Sequence, residues 1–600
     1  MIDLARALQL AEAAAREAGD LLRTDFERSG GPRGAVDKAE ADVEAERLIR
    51  ARLLAAFPGW GYLGEETGRS AGEAGAPVWL VDPNDGTRDY LRGARGSSVS
   101  IGLAFEGRPV LGVVHAFAFP DGSGTLYSWA EGRRHVSRNG EACSAELPRE
   151  LRAQDVVLTS SGAEGAPEGN LRCTAPARFR AVPSIAHRLA MLAAGEAAAA
   201  TSLFAPCAWD YGAGHALLRG AGGALLDEAG RPVAYGPDGA SAVRYAFAGS
   251  EEVARALAAR PWSEIRRGPK APAVRVTLRR GESERDAGRL SRAQGCLLGQ
   301  IAGDSLGSLV EFQTAAAIAA EHADGPRRLD DGGVWGTLAG QPTDDSEMAL
   351  ALARSILGGE GFDAEAAARA YREWLASGPF DVGVTTRAGL SGRPRADSQA
   401  NGSLMRASPL GIYGHALPAA RLAQLAFADA CLTHPHPVCL QATAAFVIAI
   451  ARAIAGEGAA GAHAAALAWA EREGASEVAQ RLQAAREAAP VCDGGSQGWV
   501  LIALQNAFHE LLHAAGPEQA LVRSVRRGGD TDTNAAITGA LQGAVHGREA
   551  LPFAWRQMVL SAHAVEGAAR RVRPPVYWPV DASEIAERLL LAGRAAGSRV

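Results

Sequence analysis

Val78-Trp79-Leu80-Val81-Asp82-Pro83-Asn84-Asp85-Gly86-Thr87 decides how the first half of the chain folds. Four consecutive apolar residues read as a buried strand, Pro83 stiffens the turn after Asp82, and Gly86 permits an unusual backbone angle before a helix start at Thr87. Asp82 and Asp85 then face one pocket at the strand end, and the N–H groups of Gly86 and Thr87 can cradle a phosphate beside metal ions. Around this stretch helical and strand-like segments alternate. Amphipathic helices run to about residue 27 and over 40–57, strands over 99–105, 109–115, 156–159, 224–226 and 245–249, and further helices over 185–194 and after Asp210. That alternation predicts a layered α/β domain.

At 600 residues the chain exceeds what one core serves, which predicts two domains. From about residue 261 to 289 the pattern breaks into Arg-, Pro- and Gly-rich sequence. It is read as a linker over 263–288 between domains 1–262 and 289–600. Beyond it the sequence is alanine-rich and helical in period, so the second domain is expected to be all-α. A formal net charge of −6 gives no global attraction to nucleic acid or an anionic membrane, leaving small molecules as default partners. Seven scattered cysteines, none spaced C-x-x-C, argue against a disulfide framework. The first 23 residues mix charges into an amphipathic helix, and the apolar run over 442–451 stops at Arg452, too short to span a bilayer. A soluble cytoplasmic protein with no membrane partner is expected.

Oxygen ligands concentrate elsewhere too. Glu65, in Gly64-Glu65-Glu66-Thr67, and Asp210, in Trp209-Asp210, would join Asp82 and Asp85 in an all-oxygen donor set suited to Mg²⁺ or Mn²⁺. In the second half, Thr343-Asp344-Asp345 precedes a helix predicted over 348–357. Asp530, Asp532 and Thr533, in Gly528-Gly529-Asp530-Thr531-Asp532-Thr533-Asn534, precede another over 535–545. Capping explains either motif alone. It does not require three clustered oxygens twice, and the two triads together could hold divalent ions.

The first half resembles the inositol monophosphatase family, over about residues 1–262. The resemblance rests on Glu40-Ala41-Asp42, Gly64-Glu65-Glu66-Thr67, Asp82-Pro83-Asn84-Asp85-Gly86-Thr87 and Trp209-Asp210-Tyr211-Gly212-Ala213-Gly214 followed by Gly222-Gly223. It implies an α-β-α-β-α sugar-phosphatase fold with two or more Mg²⁺ or Mn²⁺ ions held by Glu65, Asp82, Asp85, Asp210 and the main-chain carbonyl of Asn84. Thr87 would orient the attacking water, Glu65 and Thr87 would be catalytic, Gly86 and Thr87 would bind the phosphate, and a homodimer through this domain is admitted. The family usually has an apolar residue at Asn84, Thr at Ala39, Lys at Arg188 and often Asp near Ala198. Its substrates include inositol phosphates, fructose bisphosphate, and 3′- or 2′-phosphates of adenosine nucleotides and NADP.

The second half resembles the ADP-ribosylglycohydrolase family over about residues 289–600. The motifs are Gly299-Gln300-Ile301-Ala302-Gly303-Asp304-Ser305-Leu306-Gly307 with Glu311 after it, Thr343-Asp344-Asp345, Asn401-Gly402-Ser403-Leu404-Met405-Arg406, Thr433-His434-Pro435 and the 528–534 loop. The resemblance implies an all-α fold and a binuclear Mg²⁺ centre on Thr343, Asp344, Asp345, Asp530, Asp532 and Thr533. It makes Glu311 the general acid or base, places the substrate against Asn401, Gly402, Ser403, Met405 and His434, and has water cleave the glycosidic bond of an ADP-ribosyl group. Trp335, Trp374, Trp499, Phe508 and Trp578 are read as core. Two complete cages on one chain suggest that both act on related nucleotides. The alternative is a second domain that binds ADP-ribose without hydrolysing it.

Overall fold

The computed structural model describes residues 2–144, 146–265 and 275–598. They form two compact units, one holding the described residues to 285 except 275 and 276, the other holding those two and 286–598.

In the first unit, the helices Leu4–Phe26 and Glu40–Ala56 bury alanine- and leucine-rich faces (Ala7, Leu8, Ala11, Ala15, Leu22, Ile49, Leu53) against one side of an eight-stranded sheet. The sheet order is Glu141–Cys143, Val136–Arg138, Thr125–Ala130, Arg108–Ala116, Ser98–Phe105, Val78–Asp85, Gly61–Gly64 and Gly68–Ser70. Only the pair Gly61–Gly64 with Val78–Asp85 is parallel. Strand alternation sends Trp79, Val81, Ile101 and Leu103 to those outer helices. The opposite face receives the helix Ala208–Gly220 so closely that a Cβ on Gly112 would stand 2.1 Å from the Ala213 carbonyl oxygen.

That helix and Ile185–Ala193 also contact a second sheet, ordered Arg178–Ala181, Val156–Thr159, Ala199–Ser202, Ala246–Gly249 and Ala224–Leu226. Its first three strands are parallel, and Val157, Ala199 and Phe247 pack outward on Cys173 of the helix Pro167–Thr174 and on Val253 and Leu257 of Glu251–Ala258. Five layers result, α-β-α-β-α, as the resemblance implied. The strands Thr125–Ala130, Arg178–Ala181 and Ala199–Ser202 were not legible as strands, because all three are buried on both faces or nearly so and show no alternation.

The second unit is all-α among its described residues, running from Ala287–Gly307 to Ala582–Gly597. At its centre Ala287–Gly307 and Thr531–His546 run antiparallel in backbone contact: Gly295 faces Gly543, Gly299 faces Gly539, Gly303 faces Ala535 and Gly307 faces Thr531. The helix Pro437–Ile454 is long and apolar enough to cross a bilayer, but 78% of it is buried within the unit.

Two expectations are corrected, the helix starts and the burial of two tryptophans. The segment read as a linker over 263–288 is bonded to folded residues where it is described: Arg280 donates to the Pro32 and Gly34 carbonyls and Arg285 to that of Glu27, while Val276 N–H reaches Asp581 Oδ2 at 2.6 Å. Its arginines find acceptors on folded surfaces, and residues 266–274 lie outside the described residues. Both ligand-bearing helices start earlier than the periodicity suggested, at Asp344–Gly358 and Thr531–His546, so Asp344, Asp345, Asp532 and Thr533 stand in first turns. Trp374, Phe508 and Trp578 are core, but Trp335 and Trp499 are only half-buried because their indole N–H groups reach out to Glu311 and Gln399.

Candidate active sites

In the strand Val78–Asp85, Leu80 packs against Gly212 of the helix Ala208–Gly220, and Asp82, two residues on, shares that side. A β-bulge between Asp82 and Asp85 re-aims the chain, and Gly86, at φ 101°, lets the short helix Thr87–Leu91 begin at once. Asp85 Oδ2 accepts from Ser184 Oγ at 2.5 Å and Ala186 N–H at 2.8 Å; Asp210, in the first turn of its helix, accepts from Cys207 N–H at 2.8 Å. Glu65 follows the neighbouring strand and is exposed. Burial raises the pKa of Glu65 to about 7 and lifts those of Asp82, Asp85 and Asp210; repulsion from Glu65, Asp85 and Asp210 adds to the rise at Asp82. The fold therefore gathers four carboxylates remote in sequence.

Three supporting groups carry no role in the sequence reading. Thr87 Oγ1 lies 3.0 Å from both Asp42 Oδ2 and the Asn84 carbonyl oxygen, and Asn84 Nδ2 donates to Asp42 Oδ1 at 2.9 Å. The Asn84 side chain thus fixes Asp42, which gives this polar residue work at a position the family usually fills with an apolar one. Burial pushes Asp42 up to about 7. Glu46, fully buried, accepts from the Glu66 and Thr67 N–H groups at 2.6 and 3.0 Å and fastens the loop that carries Glu65. Ser184 holds Asp85. The available signal was Asp42 and Glu46 at i and i+4 on the apolar face of Glu40–Ala56.

In the second unit neither ligand triad is spent on capping. Thr343 and Asp530 occupy N-cap positions without a side-chain cap bond. Asp304 does that work instead, accepting from Thr343 N–H and Oγ1 and Ser346 N–H at 2.9–3.2 Å from a different helix. Thr343 Oγ1 and Thr533 Oγ1 each stand 3.3 Å from Asp345 Oδ2, and Asn401 Nδ2 donates to Asp530 Oδ2 at 2.7 Å. Gly528 and Gly529, at φ 69° and 79°, make the turn before Asp530, where a Cβ on Gly529 would meet the Cys492 carbonyl oxygen at 2.1 Å.

Glu311, Asp381 and Asp532 offer oxygens within 4.8 Å of one another. Asp381 was missed: it lies in a loop after Phe380, and no periodicity marks it. Trp335 Nε1 donates to Glu311 at 2.6 Å; burial, then repulsion from Asp381 and Asp530, pushes Glu311 up to about 8. Burial, then repulsion, also raises Asp344, Asp345 and Asp532 well above the usual range, and Asp304 goes to about 6 through burial.

Among the substrate-side expectations, Asn401 meets the cage. Ser403 Oγ turns into the core toward Thr443 at 3.2 Å, Met405 is buried, and Gly402 lies on the His434 ring. His434 Nδ1 pairs with Thr433 Oγ1 at 2.7 Å, while its Nε2 is buried without a partner. Glu347 stands outside the cage, bound to Arg573 and to Trp374 Nε1.

Both sets fit hard divalent cations. The donors are all oxygen, Asp345 Oδ1 is buried with no hydrogen bond, and the strongest charged neighbours of Asp344, Asp345 and Asp532 are other acids. Metal-free protein should lose stability as pH rises. A carboxyl whose folded pKa is raised binds its proton more tightly when folded, so stability falls from about pH 4 up through about 7 at Asp42 and 8 at Glu311. The expected thermal shift is a drop of roughly 5 °C or more between pH 5 and 8, largely reversed by Mg²⁺ at the alkaline end. A melting temperature flat in pH and indifferent to Mg²⁺ would contradict this picture.

Comparison with known proteins follows the same division. The inositol monophosphatase family model matches residues 3–264 and the ADP-ribosylglycohydrolase model residues 285–581. The chain is 32% identical over 278 residues to the ADP-ribosyl-[dinitrogen reductase] glycohydrolase of Rhodospirillum rubrum, covering 44% of this chain and 88% of that one. It is 29% identical over 231 residues to the 3′(2′),5′-bisphosphate nucleotidase CysQ of Escherichia coli K12 (37% of this chain, 91% of that one). It is 30% identical over 238 residues to inositol monophosphatase 3 of Solanum lycopersicum (37% and 86%).

Proposed function

Residues 3–264 of the chain belong to the inositol monophosphatase family and residues 285–581 to the ADP-ribosylglycohydrolase family, and from that premise we propose one bifunctional, Mg²⁺-dependent hydrolase. The first unit hydrolyses a phosphate monoester, an inositol phosphate or the 2′- or 3′-phosphate of a nucleotide. The second cleaves the glycosidic bond of an ADP-ribosyl group. Family membership supports both reactions, and the observation that carries the metal dependence is two gatherings of carboxylates, with Asp82, Asp344, Asp345 and Asp532 buried, in which the strongest charged neighbours of these four are other acids.

In the first unit Glu65, Asp82, Asp85, Asp210 and the Asn84 carbonyl would hold the ions, which supply an acidified water and a counter-charge for the departing oxygen. Thr87, with its hydroxyl between Asp42 and the Asn84 carbonyl, orients that water and passes its proton toward Asp42, while the Gly86 and Thr87 N–H groups receive the phosphate. In the second unit Thr343, Asp344, Asp345, Asp530, Asp532 and Thr533 would be ligands. Glu311, whose pKa burial and the neighbouring acids raise to about 8 in the metal-free protein, is placed to move a proton at the scissile bond, and Asn401 fixes Asp530. Seven unpaired cysteines suit a reducing compartment.

The test is full-length protein with Mg²⁺ against inositol 1-phosphate, adenosine 3′,5′-bisphosphate and an ADP-ribosylated peptide, following phosphate and free ADP-ribose. Both products should appear and both should vanish with a chelator. ADP-ribose binding without release would instead favour a non-catalytic second unit.

A further inference from the structure

We propose that Phe204 is a stacking wall for a nucleobase at the phosphatase site, so that the first unit takes a nucleoside phosphate in preference to a polyol phosphate. The inference rests on the phosphatase reading above. The three parallel strands Val156–Thr159, Arg178–Ala181 and Ala199–Ser202 end at one edge of the second sheet, where α/β folds place their ligands. The loops leaving that edge reach the carboxylate set directly: Ser184, after the second strand, holds Asp85, and the segment after the third runs through Cys207, whose N–H holds Asp210.

Phe204 lies in that third loop and is 63% exposed. Single exposed apolar residues are ordinary on protein surfaces, so its position has to carry the argument. It sits three residues before Cys207. Its ring edge meets the turn after the first strand at Gly162, where even a Cβ would come within 3.2 Å of Phe204 Cζ. Ala205 next to it adopts φ +45°, a left-handed conformation that alanine disfavours, and its N–H is held by the Arg244 carbonyl.

The chemistry of the loop narrows the occupant. Residues 203–209 are Leu, Phe, Ala, Pro, Cys, Ala and Trp, with no hydroxyl, amide or charged side chain. A polyol ring buried against them would lose the hydrogen bonds of its hydroxyls to water and could regain only those of the Trp209 indole N–H and the Cys207 thiol. A purine offers a flat face to an aromatic ring and loses little.

The test compares parent, Phe204→Ala and Phe204→Trp, each with Mg²⁺, on adenosine 3′,5′-bisphosphate and on 2-glycerophosphate, an ester with no base. For Phe204→Ala the ratio of kcat/KM for the nucleotide to that for 2-glycerophosphate should fall about 10- to 100-fold, mostly through KM. Phe204→Trp should keep the parent ratio, and the melting temperatures of all three should agree. An unchanged ratio in Phe204→Ala, or a parent that prefers inositol 1-phosphate to the nucleotide, overturns the inference and leaves the phosphatase reading standing. A parent that hydrolyses no phosphate ester overturns both.

Discussion

Asp532→Asn should abolish release of ADP-ribose while phosphate release by the same polypeptide continues, and Asp82→Asn should do the reverse. Asp532 sits where Glu311, Asp345, Asp530 and Asp381 converge, so its carboxylate would be shared among the ions that hold the substrate. Amide for carboxylate keeps the shape and removes the charge. If the metal centre supplies several kcal/mol of transition-state stabilisation, the loss is about 1,000-fold or more in kcat. The same substitution relieves like-charge repulsion, so metal-free Asp532→Asn should melt higher than metal-free parent at pH 8 and gain less from Mg²⁺. That pairing of lost turnover with raised metal-free stability separates a broken ligand set from a broken fold. Equal loss of both activities, or retention of ADP-ribose release, would count against two independent centres.

Gly299→Leu should unfold the second unit selectively. A Cβ there would stand 2.3 Å from the Gly539 carbonyl oxygen, and one on Gly539 would stand 2.0 Å from that of Gly299, both backbone atoms of helices that cannot give way singly. Overpacking at such a contact costs roughly 3 kcal/mol or more, a large part of a domain's total of about 5–15 kcal/mol. Because these helices deliver Asp304 and Asp532, their separation also takes the ligand set apart. Calorimetry should show one transition lowered and the other unmoved, with ADP-ribose release lost. Gly358→Ala, where an added Cβ meets nothing within 4 Å, is the control and should be near neutral. A Gly299→Leu protein that melts like its parent would show that the stripe is not the tight contact described.

Much of this arrangement was legible in the sequence for identifiable reasons. Val78 to Thr87 announces a strand, a turn and a helix through apolar run, proline and glycine, and the observed bulge falls within Asp82–Asp85. The second unit's helices showed their period, but the start of Asp344–Gly358 did not, because the Thr343 and Ser346 N–H groups are satisfied by Asp304 on a different helix, which no local capping rule can find. Asp42 and Glu46 were hidden differently. They occupy positions that an amphipathic reading assigns to the buried face, and only the fold shows that what they meet there is Asn84, Thr87 and the Glu66–Thr67 backbone. The glycines of the second unit were visible as a motif at residues 299, 303 and 307. Their spacing of four, extended back to Gly295 and answered by Gly539 and Gly543, is a helix–helix contact that needs both partners to be seen. Asp381 had no signal, since a loop carboxylate acquires meaning only from what stands opposite it.

The main chain of Phe312 and Gln313 is stitched to Gly529 by a reciprocal pair of hydrogen bonds, Phe312 N–H to Gly529 O and Gly529 N–H to Gln313 O, each 2.8 Å. Glu311 and Asp530 therefore ride on a single strap. If Glu311 carries the proton and Asp530 holds an ion, as proposed, a backbone shift of either segment has to break these two bonds or carry the other segment with it. Deuterium uptake at those two amides would then keep a common clock.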